Sequence, residues 1–282
     1  MWSINEPTCS VTEIVIACSK SVLDPDLRTR VAASAADMAA NTSILRSFAA
    51  SDRMHEMSSA DVPVVRLSSS ELRGLYTRQL ARIGSKARIF YEEILGGAKH
   101  GLCSYCRYGQ ADSLDHFVPK ATVPELSVEP FNLVPSCSRC NHKLGSGYSS
   151  EPGLQMLHPY LEFDLGRWLR ARVDEAADGV VRFYADPADA LPEDLRGRII
   201  AQFGLLGLSE LYSVVSAQEL SGLRKVLTDN FSSADPLAIS AHLADVSAAA
   251  FRGDDNDRRG VMYEALADSE WYCAGGYETV GC

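Results

Sequence analysis

Helical periodicity dominates the first 65 residues of the chain. The Leu-Asp-Pro sequence at 23–25 breaks an early segment, and residues 27–40 are rich in alanine, arginine and methionine, which favour helices. Within residues 42–57, apolar side chains recur at the spacing of one helical face. We therefore predict that residues 1–65 form an N-terminal helical region, which serves as a scaffold or as a surface for a partner protein.

The pattern of residues 66–98 predicts a single lead-in helix that runs to about Leu95. Ser68 and Glu71 have the spacing of a capping box, and a Gly-Gly pair at 96–97 can end the helix. Its apolar face would comprise five side chains at helical spacing: Leu72, Leu75, Tyr76, Leu80 and Ile83.

The same helix would carry a basic stripe formed by Arg78, Arg82 and Lys86. Residues four apart lie on one helix face, so the three side chains would point the same way. A solvated helix face explains such a stripe without any function. Because residues 66–98 are the most basic part of the chain, the stripe is also a candidate contact for nucleic-acid phosphates.

The C-terminal part, residues 151–282, combines a hairpin with helices. Apolar and basic residues alternate in 167–173 and again in 180–185, with Asp178 and Gly179 as the turn between them. Helical periodicity then returns in four segments: 195–206, 209–227, 236–251 and 258–271. We predict an α+β fold that is mainly helical, with a small core at residues 99–150 between the helical regions.

Composition and charge limit the classes of protein that fit. The chain has 282 residues, of which 46% are hydrophobic, enough for one large domain or two ordinary ones. No apolar run approaches the roughly 20 residues of a membrane span, and the N-terminus lacks the basic start of a signal peptide. We therefore expect a cytoplasmic protein without a membrane segment.

The negative charge is concentrated in the C-terminal half. The net charge is −10, and residues 151–282 alone contain 22 acidic and 11 basic side chains. Such a surface repels free nucleic acid unless it faces away from it. Contact with a polyanion would therefore fall to the centre of the chain.

Two Cys-x-x-Cys pairs with 30 residues between them are the strongest chemical signal: Cys103, Cys106, Cys137 and Cys140. In a chain without an export signal, this spacing favours a metal over disulfides. Four thiolates fill the tetrahedral shell of Zn²⁺, so the ion would be structural; an iron–sulfur cluster is the alternative. The scattered Cys9, Cys18, Cys273 and Cys282 are predicted to be ordinary thiols.

Four polar residues lie inside this cysteine frame. In a regular strand Asp115 and His116 would point to opposite faces, so a bend is needed to bring both to one cleft. The Asn132 side chain can hold a turn by bonding backbone groups. Asn141 would lie in the first turns of a helix capped by Ser136 or Ser138. The carboxylate of Asp115 and the amide oxygen of Asn141 suit a hard ion such as Mg²⁺.

This segment resembles the HNH endonucleases, also called ββα-metal nucleases. The resemblance rests on the two cysteine pairs and on three motifs between and after them: Asp115-His116-x-x-Pro119-Lys120, Asn132-Leu133 and Cys140-Asn141-x-Lys143. The resemblance implies a ββα unit that is stabilised by structural zinc and hydrolyses phosphodiesters.

The resemblance also implies a role for each residue. His116 would be the general base, Asp115 and Asn141 would bind a catalytic Mg²⁺ or Mn²⁺, and Asn132 would hold the loop that orients His116. Many members carry histidine at the position of Asn141, so the adjacent His142 is the alternative ligand. Lys120 and Lys143 would contact flanking phosphates, although both can equally be plain surface lysines.

A weaker similarity extends over the whole chain. The helical lead-in, His158-Pro159-Tyr160 and Leu211-Tyr212 look like the HNH component of Septu-type antiphage systems. That similarity implies a co-encoded ATPase or sensor protein that docks on the helical regions.

Three functions compete at this point. The leading hypothesis is a Mg²⁺-dependent DNA endonuclease in bacterial antiphage defence. A non-catalytic, zinc-stabilised module for protein interaction or nucleic-acid binding is favoured by the acidic charge and the large helical remainder. The third hypothesis is a ribonuclease. Nothing in the sequence recognises a 2′-hydroxyl group, so a comparison of cleavage on DNA and RNA is the direct test.

Overall fold

A computed structural model describes residues 3–147, 149–161, 165–177, 179–231 and 235–279. The chain divides into two compact units, Met1–Phe163 and Asp164–Cys282. Three of the regions proposed above lie within the first unit, and the boundaries between them stay predictions. Asp178 and Cys282 lie outside the described residues.

The first unit begins with three helices: α1 (Val11–Ser19), α2 (Pro25–Ala33) and α3 (Ala35–Ala50). The Ser10 hydroxyl and the Glu13 carboxylate form a capping box that starts α1. Asp24 caps α2 and Pro25 occupies its first turn, so the predicted break at 23–25 is a helix boundary. The predicted helix over 27–40 is divided instead at Ser34, between α2 and α3.

The lead-in segment contains two short helices rather than the continuous helix predicted to Leu95. These are α4 (Ser69–Gly74), which runs into a π-helical segment (Leu75–Leu80), and α5 (Arg88–Gly96). The capping box of Ser68 and Glu71 is confirmed. After the π-helical segment the chain turns through Gly84, whose φ is +81°. The Arg88 amide donates to the Ser85 hydroxyl oxygen at 3.1 Å, and α5 begins after its N-cap residue Ala87 without a side-chain cap.

The basic stripe is therefore wrong as a geometric prediction. Arg82 and Lys86 lie in the turn between the two helices, whereas Arg78 lies in the π-helical segment. Ile83, which was assigned to the apolar face, is 84% exposed. Periodicity missed this break because the residues of the turn include good helix formers, whereas the positive φ of Gly84 interrupts the helix.

A ββα unit lies against these helices. β1 (Ser113–His116) and β2 (Leu133–Ser136) pair antiparallel, with Leu114 opposite Pro135 and His116 opposite Leu133. α6 (Ser138–Leu144) follows directly. Leu114 and Leu133 belong to a buried apolar cluster shared with the helices, whose members include Ile14, Val31, Met38, Leu75 and Ile94. This α+β, mainly helical architecture confirms the predicted fold class.

Two tyrosine hydroxyls contact the outer edges of the β1–β2 ribbon. Tyr76 donates to the Leu114 carbonyl at 3.0 Å, and Tyr160 donates to the Leu133 carbonyl at 2.6 Å. Within the described residues this sheet has two strands, so each carbonyl lies on an edge without a neighbouring strand there. Side-chain donors on both edges satisfy backbone groups that would otherwise need water.

The second unit contains the predicted hairpin and helices. β3 (Leu169–Asp174) pairs antiparallel with β4 (Val180–Ala185). Val181 and Phe183 are buried, as the alternation predicted. A short 3₁₀ turn, Glu175–Ala177, makes the connection longer than the predicted two-residue turn. The helices are α7 (Glu193–Leu205), α8 (Leu208–Phe231), α9 (Pro236–Phe251), α10 (Arg258–Ala267) and α11 (Glu270–Cys273). The predicted helix 258–271 is divided because Ser269 caps α11.

Across the described residues, no single helix is both long and apolar enough to cross a membrane. Helices α7 and α8, with a bend of 58° between them, meet that criterion only as a pair and only by length and composition.

Candidate active site

The four cysteines of the two pairs form one buried cluster. Their sulfur atoms all lie within 4.8 Å of one another, and the Sγ atoms of Cys106 and Cys137 are 3.8 Å apart. Tetrahedral zinc with Zn–S bonds of about 2.3 Å requires sulfur atoms about 3.8 Å apart. The cluster therefore fits a structural Zn²⁺ whose four ligand positions are all filled by protein.

Backbone amides support these sulfur atoms. Gly109 N–H donates to the Cys106 sulfur at 3.4 Å, and Cys140 N–H donates to the Cys137 sulfur at 3.5 Å. Cys137, rather than the predicted Ser136 or Ser138, is thus the N-cap of α6. Such donors favour the thiolate form that a metal requires.

Gly109 also packs directly on the cluster, a contact that no motif in the sequence predicts. A Cβ atom at this position would lie 2.9 Å from both the Cβ and the Sγ of Cys137.

We expect Gly109→Ala to displace the Cys137 sulfur, weaken zinc binding and lower the free energy of unfolding by about 1–3 kcal/mol. Competition with a chromogenic chelator and thermal unfolding measure the two effects. Gly153→Ala is the matched control, because a Cβ there meets nothing within 4 Å; equal zinc affinity in both variants would contradict the prediction.

A cavity of about 270 Å³ opens beside β1 and α6. Four of the predicted site residues line it: Asp115, His116, Lys120 and Asn141. The other lining residues include Arg73, Tyr76, Pro119 and Gly145. Asp115 and His116 reach the same cavity although they are neighbours in a strand, and His116 is the last residue of β1.

The Asp115 carboxylate is buried beside the cavity. Its Oδ2 atom accepts a hydrogen bond from the Tyr105 hydroxyl at 2.8 Å. Burial raises the pKa of Asp115 to about 6, while the Tyr105 hydrogen bond and the positive charge of Lys120 act in the opposite direction. A cation bound at this carboxylate would favour the ionised form further.

The His116 imidazole is held from two sides. Its Nε2 atom lies 3.0 Å from the Ser127 carbonyl, and its ring packs edge-to-face on Tyr76 with centroids 4.4 Å apart. A carbonyl only accepts hydrogen bonds, so Nε2 carries the proton and Nδ1 keeps a lone pair. Burial and the nearby Lys120 lower the pKa of His116 to about 3, which keeps the imidazole neutral at pH 7.

Asn132 lies outside the cavity and organises the loop that follows β1. Its Oδ1 atom accepts from the Val118 amide at 2.7 Å, and its Nδ2 donates to the carbonyls of Val118 and Leu126 at 2.9 and 3.2 Å. These bonds tie together a loop that contains Pro119 and Lys120. The Asn132 amide thus bonds backbone groups, as the sequence predicts.

Asn141 lines the cavity, whereas the adjacent His142 is exposed and is absent from the cavity wall. The Asn141 Nδ2 atom donates to the Ser113 hydroxyl oxygen at 3.2 Å, and that hydroxyl lies 3.2 Å from the Ser136 carbonyl. This arrangement engages the amide nitrogen, so the amide oxygen is the atom of Asn141 available to a cation.

The remaining predicted substrate contacts fall into two groups. The Lys120 ammonium lies in the cavity, 5.1 Å from the centre of the Tyr76 ring. Four side chains are exposed and do not line the cavity: Lys143, Arg78, Arg82 and Lys86. Arg73 and Tyr76 do line it and were not identified as site residues, since a helical pattern alone does not show which face meets a distant strand.

The donors around the cavity fit a hard divalent cation. Asp115 supplies a carboxylate oxygen and Asn141 an amide oxygen, both from the wall of the same cavity. Mg²⁺ is commonly held by one or two protein oxygen ligands and keeps water or substrate oxygens at its other positions.

Comparisons with known proteins agree with this arrangement. A sequence profile described as HNH endonuclease matches residues 103–147, which contain both cysteine pairs and the ββα unit. Protein ea31 of Escherichia phage lambda is 31% identical over 248 residues, which cover 79% of this chain and 80% of that protein. No solved structure matches the chain significantly. On the strength of the matched profile and of this relative, the chain belongs to the HNH endonuclease family of phosphodiester hydrolases.

Proposed function

We propose that this protein is a DNA endonuclease that depends on Mg²⁺ or Mn²⁺ and uses His116 as its general base. The observation that carries the proposal is one cavity lined by a neutral imidazole, a carboxylate, an amide and two cationic side chains. These groups supply the proton acceptor, the ligands for a cation and the contacts for a phosphate that hydrolysis of a phosphodiester requires.

His116 accepts the proton of the attacking water through Nδ1. The Ser127 carbonyl holds the Nε2–H at 3.0 Å and therefore stabilises the imidazolium that forms. Burial makes His116 a weak base in the resting enzyme, but it also guarantees that the acceptor nitrogen is unprotonated at neutral pH. Proton transfer becomes more favourable as negative charge accumulates on the phosphate.

Asp115 and Asn141 would hold the divalent cation. The Tyr105 hydroxyl fixes one carboxylate oxygen of Asp115, and the Ser113 hydroxyl fixes the amide nitrogen of Asn141. When bound, the ion offsets the negative charge on the phosphate and on the leaving oxygen. Pre-oriented ligands lose little side-chain entropy when they bind it.

Lys120 and Arg73 contact the scissile phosphate from the cavity wall. Asn132 acts indirectly, because its three backbone hydrogen bonds fix the loop that contains Lys120. Lys143, Arg78, Arg82 and Lys86 are proposed to contact flanking phosphates outside the cavity, each by itself rather than as a helical stripe.

DNA is proposed as the substrate because no residue of the site is recognisable as a reader of the 2′-hydroxyl. The resemblance to Septu-type components supports a role in antiphage defence, with an ATPase or sensor protein docked on the helical regions. That role would place the enzyme in the cytoplasm, with access to foreign DNA.

A cleavage assay on matched substrates tests the proposal. Supercoiled plasmid, single-stranded DNA and RNA of equal length are incubated with full-length protein in Mg²⁺, Mn²⁺, Ca²⁺ or EDTA. We expect nicked or linear DNA in Mg²⁺ or Mn²⁺ and none in EDTA, while the zinc content stays constant. Preferential cleavage of RNA would overturn the choice of substrate, and inactivity on every substrate would favour the non-catalytic binding module.

A further inference from the structure

Tyr76 lines the proposed catalytic cavity although it lies outside residues 103–147, which match the family profile. Its ring meets the His116 imidazole edge-to-face, with an interplanar angle of 71° and centroids 4.4 Å apart. The Lys120 ammonium lies 5.1 Å from the centre of the same ring, within the range of a cation–π contact. One aromatic ring thus contacts two groups of the cavity.

The phenol hydroxyl fixes this ring to the strand that carries the site. It donates at 3.0 Å to the Leu114 carbonyl, which immediately precedes Asp115. Burial raises the pKa of Tyr76, so the hydroxyl stays protonated and remains a donor at neutral pH. The ring therefore has a defined position relative to β1.

An uncommon backbone conformation brings Tyr76 to this place. It belongs to the π-helical segment Leu75–Leu80, and its carbonyl accepts from the Ala81 amide at 2.8 Å, five residues on. π-Helical turns are rare and concentrate at functional sites, because they change the direction of side chains at a cost in helix geometry. Arg73, three residues earlier, lines the same cavity.

We propose that Tyr76 is a positioning residue that holds the His116 imidazole and the Lys120 ammonium in their catalytic orientations. The inference rests on the proposed role of His116 as general base. The Ser127 carbonyl restrains the imidazole at Nε2, and the Tyr76 ring restrains its plane. The lead-in segment is thereby part of the active site rather than only a support for it.

Two substitutions at Tyr76 separate the ring from the hydroxyl. Tyr76→Phe keeps the ring, so we expect kcat for plasmid cleavage within about threefold of wild type. Tyr76→Leu removes the ring, and we expect kcat to fall roughly 10- to 100-fold, since small displacements of a catalytic group have effects of this size. In the inactive background His116→Ala, where Lys120 still binds, Tyr76→Leu should weaken DNA binding about three- to tenfold.

Tyr160→Leu is the matched control, because Tyr160 is buried and donates to the opposite edge of the same ribbon. It should lower thermal stability to a similar extent but change kcat less than threefold. Equal losses of kcat in Tyr76→Leu and Tyr160→Leu would show a purely structural role and overturn the proposal.

The double variant Tyr76→Leu/His116→Ala separates this inference from the proposed function. If Tyr76 affects kcat through His116 and DNA binding through Lys120, the double variant at saturating DNA should have a kcat within about twofold of that of His116→Ala alone. Full activity of His116→Ala would refute His116 as the general base. Loss of activity in His116→Ala, together with normal activity in Tyr76→Leu, would refute only the role of Tyr76.

Discussion

Replacement of His116 by alanine is expected to lower kcat for DNA cleavage by roughly 10²- to 10⁴-fold, the usual contribution of a general base. Methyl replaces the imidazole, so no group at this position can accept the proton of the attacking water. The cysteine cluster is not altered by the change. Single-turnover cleavage of plasmid in Mg²⁺, together with zinc analysis and a thermal unfolding curve, separates lost chemistry from lost structure.

The neighbouring histidine of α6 provides the control for this experiment. His142 is exposed and does not line the cavity, so His142→Ala should retain cleavage within about twofold of wild type. If His142→Ala lost as much activity as His116→Ala, the assignment of the base would be wrong. Cleavage that persisted in His116→Ala would have the same consequence.

Replacement of a cluster cysteine, as in Cys106→Ser, is expected to release the zinc and to unfold the ββα unit. Structural zinc contributes about 10–16 kcal/mol of apparent binding free energy in small zinc-finger peptides. The total stability of a typical domain is about 5–15 kcal/mol, so loss of the ion removes a large part of it. Zinc analysis, protease sensitivity of residues 99–147 and cleavage activity should all report the loss.

Cys18→Ala is the control for thiol loss outside the cluster. Cys18 is buried in the apolar core of the first unit, and its sulfur lies 3.8 Å from the Leu75 carbonyl. The variant should lose some stability through the smaller side chain but keep its zinc and its activity. A Cys106→Ser protein that lacked zinc and still cleaved DNA at the wild-type rate would show that the cluster does not support the site.

Most residues of the candidate site could be predicted from the sequence because they are close together in the chain. The two Cys-x-x-Cys pairs indicate one tetrahedral cluster, and the structure places their four sulfur atoms within 4.8 Å of one another. Asp115, His116 and Asn141 lie between or beside these pairs, so any fold that closes the cluster keeps them near each other. The backbone bonds of Asn132 follow from the same short loop.

The other residues that contact the cavity or the cysteine cluster could not be predicted from a sequence motif. Arg73 and Tyr76 reach the cavity from a helical segment about 40 residues before β1, and Tyr105 appears only as a residue between two cysteines. Gly109 packs against the Cys137 sulfur. This contact depends on the path of the loop and not on any sequence pattern. Periodicity identifies buried faces but does not identify the partner that each face meets.

The amino-acid sequence by itself determined the cysteine cluster and the mainly helical class, because each depends on spacing within short stretches of chain, and the ββα unit was implied by the resemblance to the HNH endonucleases. The tertiary structure alone decided where the lead-in helix breaks and which side chains share the cavity with His116. Those outcomes depend on the turn at Gly84 and on packing between segments far apart in the chain, where local propensity carries no information.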